Sequence, residues 1–401
     1  MGLGDLLLVA LVPVLKVLII TAVGLFLALD RIDLLGSTAR HHLNNIVYYV
    51  FNPALVASYL AETITLERLL QLWFMPVNIL LTFVIGSMLA WLLNKIVRTP
   101  QHLRGLVVGC CSAGNLGNLL LIIIPAVCNE SNSPFGDPSL CTSLGNAYVS
   151  LSMSIGAIYI WTYVYIIMRV SMSNGVKSSP GENSGNTMES STEPLLCSAD
   201  AQMPLEDPLQ KVHVPVGRMI AFVQQIKVLL TGETNLKVLF APTTIAAAIG
   251  FTIGMVPLLR HALIGDSAPL EVIESSIYLV GEACIPAMTL IVGANLLRGL
   301  RSSGVGALTV LGIIVVRYIA LPLIGIGIVK AAHMLGLVGS DPLYQFILML
   351  QFALPPAMSI GTICQLFEAG ESECSIILMW SYAMAAFSLT LWSTFFMWMV
   401  A

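Results

Sequence analysis

The chain has 401 residues, 57% hydrophobic and 10% charged, with a formal net charge of -4 and a mean hydropathy of +0.88. Soluble chains carry ~25% charged residues, so this one cannot solvate an ordinary surface. A soluble enzyme, a nucleic-acid binder and a disordered scaffold are excluded. Apolar runs of about 18 residues or more, each able to cross the hydrocarbon core of a bilayer, recur along nearly the whole sequence. They identify an all-α polytopic membrane protein.

Ten spans are predicted, near 5–29, 43–61, 69–94, 103–127 and 144–168, then 236–260, 269–297, 304–331, 342–366 and 375–399. The first lacks a basic n-region and reads as a retained span, not a removed signal peptide. The second is short and carries Asn44, Asn45, Asn52 and Pro53. Residues 1–169 form a first five-helix unit, 170–235 a linker, and 236–401 a second five-helix unit. With the N-terminus outside or lumenal, the cytosolic connections hold Arg31, Arg40, Lys95, Arg98, Arg104, Arg169, Lys177, Lys211, Arg218, Lys227, Lys237, Arg298 and Arg301. The other side has Arg68, Arg260 and Lys330. The excess of basic residues sets the orientation.

The linker begins with a Ser-, Gly-, Asn- and Glu-rich stretch, Ser171 to Pro194, too polar to bury a core and expected to be disordered. Val216 to Leu230 shows helical apolar spacing around Arg218 and Lys227. It fits either a helix lying in the interface or an extension of the sixth span. Between spans four and five, the sequon Asn129-Glu130-Ser131 lies between Cys128 and Cys141, on the predicted lumenal side. Those cysteines form a disulfide or stay unpaired at the membrane border. Cys110, Cys111, Cys284, Cys364 and Cys374 lack metal-ligand spacing and are expected to pack.

Five spans, a loop and five spans invite a search for a repeat. Pro53 in span two answers to Pro286 in span seven, and Pro76 in span three to Pro322 in span eight. Met153, Ile158, Ile160 and Trp161 align with Met384, Leu389, Leu391 and Trp392. An odd span number inverts the second copy, an arrangement typical of secondary transporters. The fourth span of each half is disrupted, by Gly114, Asn115, Gly117 and Asn118 in one and by Pro355 and Pro356 after Gln351 in the other. Such breaks survive in a bilayer only where protein or a water-filled cavity shelters them. Each creates new helix termini whose N–H groups favour an anion. Two opposed breaks at one depth predict a site for a small carboxylate, with Asn115 and Asn118 as neutral partners.

Lys16, Glu282 and Arg317 fall near the centres of spans one, seven and eight. A lone charge there costs about 2.5–3.5 kcal/mol on insertion scales, so each needs a partner or water. One arrangement pairs Lys16 with Glu282 and turns Arg317 toward the substrate anion. The alternative has Arg317 capping carbonyls freed by Pro322 or by a neighbouring break. Glu282 as a proton carrier is a further reading.

Four local patterns resemble the auxin efflux carrier superfamily, and within it the plant PIN-LIKES proteins. Asn44 stands nine residues before Pro53-Ala54-Leu55. Gly114-Asn115-Leu116-Gly117-Asn118 is similar to the family's Gly-Asn-x-x-Pro-Asn stretch and is followed by Ile124-Pro125. Arg317 precedes Pro322 by five residues, and Ala353-Leu354-Pro355 resembles the family's ninth-helix crossover. The resemblance covers both five-helix halves and not the linker. It implies ten helices in two inverted repeats with broken, crossing helices four and nine, and an elevator-like motion. It also implies indole-3-acetic acid as substrate and an endoplasmic reticulum location that controls intracellular auxin. Gly117 replaces a proline of the plasma-membrane carriers. Span three offers only Asn78 where those carriers have a carboxylate and a lysine.

These readings combine into a carrier or facilitator of auxin-like acids. Its substrate residues are Asn115, Gly117, Asn118, Gln351, Pro355, Pro356 and Arg317, with Lys16 and Glu282 as intramembrane charges. No cofactor or metal is implied; lipid surrounds the spans, and an oligomer is allowed. The competing readings are a sodium-coupled organic-anion symporter of the same architecture and a membrane-embedded enzyme. The latter lacks any His-Glu-x-x-His, Gly-x-Ser-x-Gly or P-loop motif.

Overall fold

A computed structural model of the chain describes residues 3–129, 133–176, 242–265, 268–301, 304–367 and 369–400. Most of the linker, including 216–230, and Glu130 and Ser131 of the sequon lie outside the described residues. In chain order the helices are α1 (Leu3–Leu27), α2 (Ser37–Ile46), α3 (Asn52–Thr63), α4 (Leu66–Gln71), α5 (Phe74–Val97), α6 (Gln101–Ser112), α7 (Asn118–Cys128), α8 (Pro138–Tyr159) and α9 (Tyr165–Val176). There follow α10 (Pro242–Met255), α11 (Pro257–Leu263), α12 (Glu271–Glu282), α13 (Cys284–Arg301), α14 (Ala307–Val315), α15 (Leu321–Met334), α16 (Pro342–Leu350), α17 (Ser359–Leu366) and α18 (Glu371–Val400). No strand occurs among the described residues.

Among the described residues five stretches are long and apolar enough to cross a membrane: Phe74–Val97, Pro138–Ser171, Glu271–Leu296, Ala307–Met334 and Glu371–Val400. A sixth arises if α10 and α11, bent by 99°, count as one span. The bend falls at Val256, which Pro257 pushes into extended backbone. Short π-helical turns join α2 to α3 (Val47–Phe51) and α14 to α15 (Val316–Ala320). Each sits just ahead of a proline, Pro53 or Pro322. A proline has no N–H for the regular ladder, and the wider turn absorbs the mismatch.

Glycines decide which helices approach most closely, as small residues do in membranes. α1 lies along α13, with Gly24 against the Leu290 backbone and Gly293 against that of Thr21. α10 lies along α3, with Gly250 against Ala57 and Gly254 against Ile64. The main apolar core runs through α5 to α8 and α14 to α18.

At one end of the bundle a disulfide joins Cys128 and Cys141, with Cα atoms 5.6 Å apart, resolving the alternative left by the sequence. It ties the end of α7 to the start of α8, where Asp137 caps the helix by accepting from the Ser139 and Leu140 N–H groups. The Ser139 hydroxyl, with those N–H groups, holds the Asp137 carboxyl below its ordinary range. Closing a loop of this size contributes about 3 kcal/mol. Cys128→Ser is therefore expected to lower the melting temperature in detergent, checked beside gel mobility without reductant.

Candidate functional site

The two broken helices meet. α6 stops at Ser112 and its continuation α7 starts at Asn118, while α16 stops at Leu350 and α17 starts at Ser359. Between them the extended pieces cross as an isolated antiparallel bridge, Gly114 opposite Pro356. Asn115 N–H donates to Pro355 O at 2.8 Å, and Ala357 N–H donates to Ala113 O at 2.9 Å. Backbone groups freed by one break are thus satisfied by the other, as burial demands. Pro355 and Pro356 add no N–H that would need a partner.

Arg317 fastens the crossing from one side. Its side chain is 1% exposed, and it donates from Nη1 to Cys111 O and from Nη2 to Pro355 O, both at 3.1 Å. A methyl group at Gly114 would stand 2.6 Å from Nη2, so only glycine leaves room for the guanidinium. Arg317 therefore caps carbonyls freed by the neighbouring breaks, the second of the two alternatives open from sequence. Among the described residues no carboxylate pairs with it, and the crossing keeps a net positive charge.

Other predicted residues serve the same scaffold. Gln351 donates to Ser152 Oγ at 2.9 Å and accepts from Asn78 Nδ2 at 2.8 Å. Asn115 donates from Nδ2 to the Tyr382 hydroxyl at 2.7 Å, which donates in turn to Pro356 O at 3.1 Å.

A cavity of about 70 Å³ that Arg317 does not line opens against the crossing. Gly114, Asn115 and Gly117 line it, with Asn52, Ser154 and Ser359 as further polar groups. Its apolar wall includes Tyr59, Trp161, Met153, Met288 and Met358. Asn52 is 3% exposed and accepts from Cys284 Sγ, while among the described residues its Nδ2 has no partner. α7 and α17 both begin at the crossing, and neither has a side-chain cap at its N-terminus. Uncapped helix N-termini favour negative charge.

Of the predicted substrate residues, Asn115 and Gly117 line the cavity, while Gln351, Pro355, Pro356 and Arg317 do not. The side chain of Asn118 lies outside the described residues. Lys16 and Glu282 are not brought together: Lys16 is exposed on α1, and Glu282 accepts a hydrogen bond from Tyr59 at 3.4 Å. Depth in the membrane does not fix the side of a helix on which a charge stands. Sequence reasoning missed Asn52, Tyr59, Met288, Met358 and Tyr382. Only the proline following Asn52 hinted at a special position.

The sequence profile of the membrane transport protein family matches residues 9–393. Protein PIN-LIKES 1 of Arabidopsis thaliana is 54% identical over 401 residues, spanning 100% of this chain and 81% of that protein. The chain belongs to this family, that of the auxin efflux carriers, and to its PIN-LIKES members. Protein PIN-LIKES 3 of the same plant is 52% identical over 389 residues, 97% of each chain. An uncharacterized transporter of Schizosaccharomyces pombe is 23% identical over 420 residues, covering 92% of this chain and 90% of its own. The family works by transport and not by catalysis, so the crossing belongs to a multi-pass membrane transporter.

Proposed function

We propose that this transporter carries auxin-type aromatic carboxylates, indole-3-acetic acid among them, across the endoplasmic reticulum membrane. The observation that carries this reading is the meeting of two interrupted helices. They present two uncapped N-termini and the amides Asn52 and Asn115 beside an apolar wall. The carboxylate is read by the first set of groups and the ring by the second.

In this reading the chain has ten spans in two inverted five-helix repeats, with a lumenal N-terminus and a cytosolic linker. The count of basic residues supports the orientation. Reciprocal packing supports the inversion, since the first predicted span lies along the seventh and the sixth along the second. A cavity of about 70 Å³ is far below the about 300 Å³ or more of a usual ligand site. The small volume supports an opening step in which one helix group moves against another, as in an elevator, together with side chains at the cavity. The endoplasmic reticulum and the auxin substrate rest on the family resemblance.

Proteoliposomes loaded with the purified protein are expected to take up labelled indole-3-acetate faster than empty vesicles, without a sodium gradient. Asn115→Leu removes an amide that faces both the cavity and Tyr382, and is expected to slow uptake about tenfold, since an unmet buried polar group costs about 1–3 kcal/mol. Uptake equal to that of empty vesicles overturns the auxin reading. Strict dependence on sodium replaces it with the symporter.

A further inference from the structure

Met153 of α8 lies over Gly117, the residue ahead of α7, and both face the cavity. A methyl group at Gly117 would stand 2.5 Å from Met153 Sδ and 2.7 Å from its Cγ. The thioether thus fills the recess that any other residue at 117 would occupy itself. Across the cavity Met358 is tethered, its sulfur accepting from the Thr289 hydroxyl at 3.4 Å. Among the described residues Met153 has no such tether. An unbranched thioether with three rotatable bonds repacks easily and makes favourable contacts with aromatic rings. Gly117 also stands two residues from Asn115, at most about 7 Å of backbone, so a ring whose carboxylate lies near Asn115 has its far edge within reach of Gly117.

We infer that Met153 and Gly117 together set the ring size this transporter accepts, Met153 acting as a movable plug and Gly117 as its recess. The inference rests on the proposed transport of aromatic carboxylates and adds which residues discriminate among them. A ring enters by swinging the thioether aside, so the space the plug can vacate limits the guest. A larger residue at 117 drives the plug into the cavity.

The test is displacement of labelled indole-3-acetate from the full-length protein in lipid nanodiscs. The competitors are phenylacetate, indole-3-acetate and fluorene-9-acetate, a ladder of ring sizes. A carbon more or less in an apolar pocket changes affinity about tenfold or more, and shifts of about that size are expected. Met153→Ala is expected to tighten the fluorene acid relative to indole-3-acetate. Gly117→Ala weakens indole-3-acetate while sparing phenylacetate, and the double variant Gly117→Ala/Met153→Ala returns toward the wild-type order. Met153→Leu retains that order. If Gly117→Ala does not fold, as judged by gel filtration, Met153→Ala and Met153→Leu decide the matter. An unchanged size order in Met153→Ala, or a folded double variant that stays as weak as Gly117→Ala, overturns the inference. If folded wild type binds none of the three acids, the proposed function falls, and the slot falls with it.

Discussion

Arg317→Gln is expected to cut the yield of folded protein and lower its melting temperature, while the surviving fraction keeps its affinity for ligand. The guanidinium holds Cys111 O and Pro355 O together and does not line the cavity. Hydrogen bonds from a charged donor contribute about 1.5–3 kcal/mol each, and a glutamine reaches one of the two carbonyls at most. Burying an unpaired cation is itself costly, so part of the loss is returned, and a net destabilisation of about 2 kcal/mol is expected from these terms. Arg317→Lys keeps the charge but loses the fork and should fall between. Thermal gel filtration combined with ligand binding on the folded peak checks this. Full stability with lost affinity would instead make Arg317 a ligand contact.

Gly86→Ala should be nearly as damaging, although it adds a single carbon. That carbon would stand 2.5 Å from Cys111 O, 2.7 Å from Ser112 Cα and 3.0 Å from Cys111 C. These are backbone atoms at the broken end of α6 and cannot rotate away as a flexible side chain does. α5 must withdraw, or the Cys111 carbonyl must leave Arg317. Overpacking of this kind costs about 1–3 kcal/mol, with the hydrogen bond at risk in addition. Gly327→Ala on α15 meets nothing within 4 Å and gains up to about 1 kcal/mol of helix propensity. The two alanine variants, melted side by side, should move in opposite directions.

The breaks were legible because glycine, asparagine and proline in mid-membrane are visible residue by residue. That the two would meet was legible only through the repeat and the family resemblance, since pairing across the chain leaves no local trace. Arg317 could be placed in depth from sequence, but not in rotation about its helix, and that rotation separates a capping role from a ligand contact. The same gap misled the pairing of Lys16 with Glu282. Gln351 looked like a substrate residue because it is polar and adjoins Pro355. It faces Ser152 and Asn78 instead, on helices whose relative placement no spacing rule encodes. Tyr382 was invisible for another reason: a tyrosine within the apolar run of α18 carries no signal until its hydroxyl is seen between Asn115 and Pro356.

The bridge at Gly114 and Pro356 also constrains how the protein is made. Asn115 finds its acceptor, and Ala113 its donor, only in a segment that leaves the ribosome long after the first break has entered the lipid. Until then the nascent chain holds exposed amide and carbonyl groups that hydrocarbon cannot solvate. The first half should therefore dwell beside the insertion machinery, awaiting its late complement.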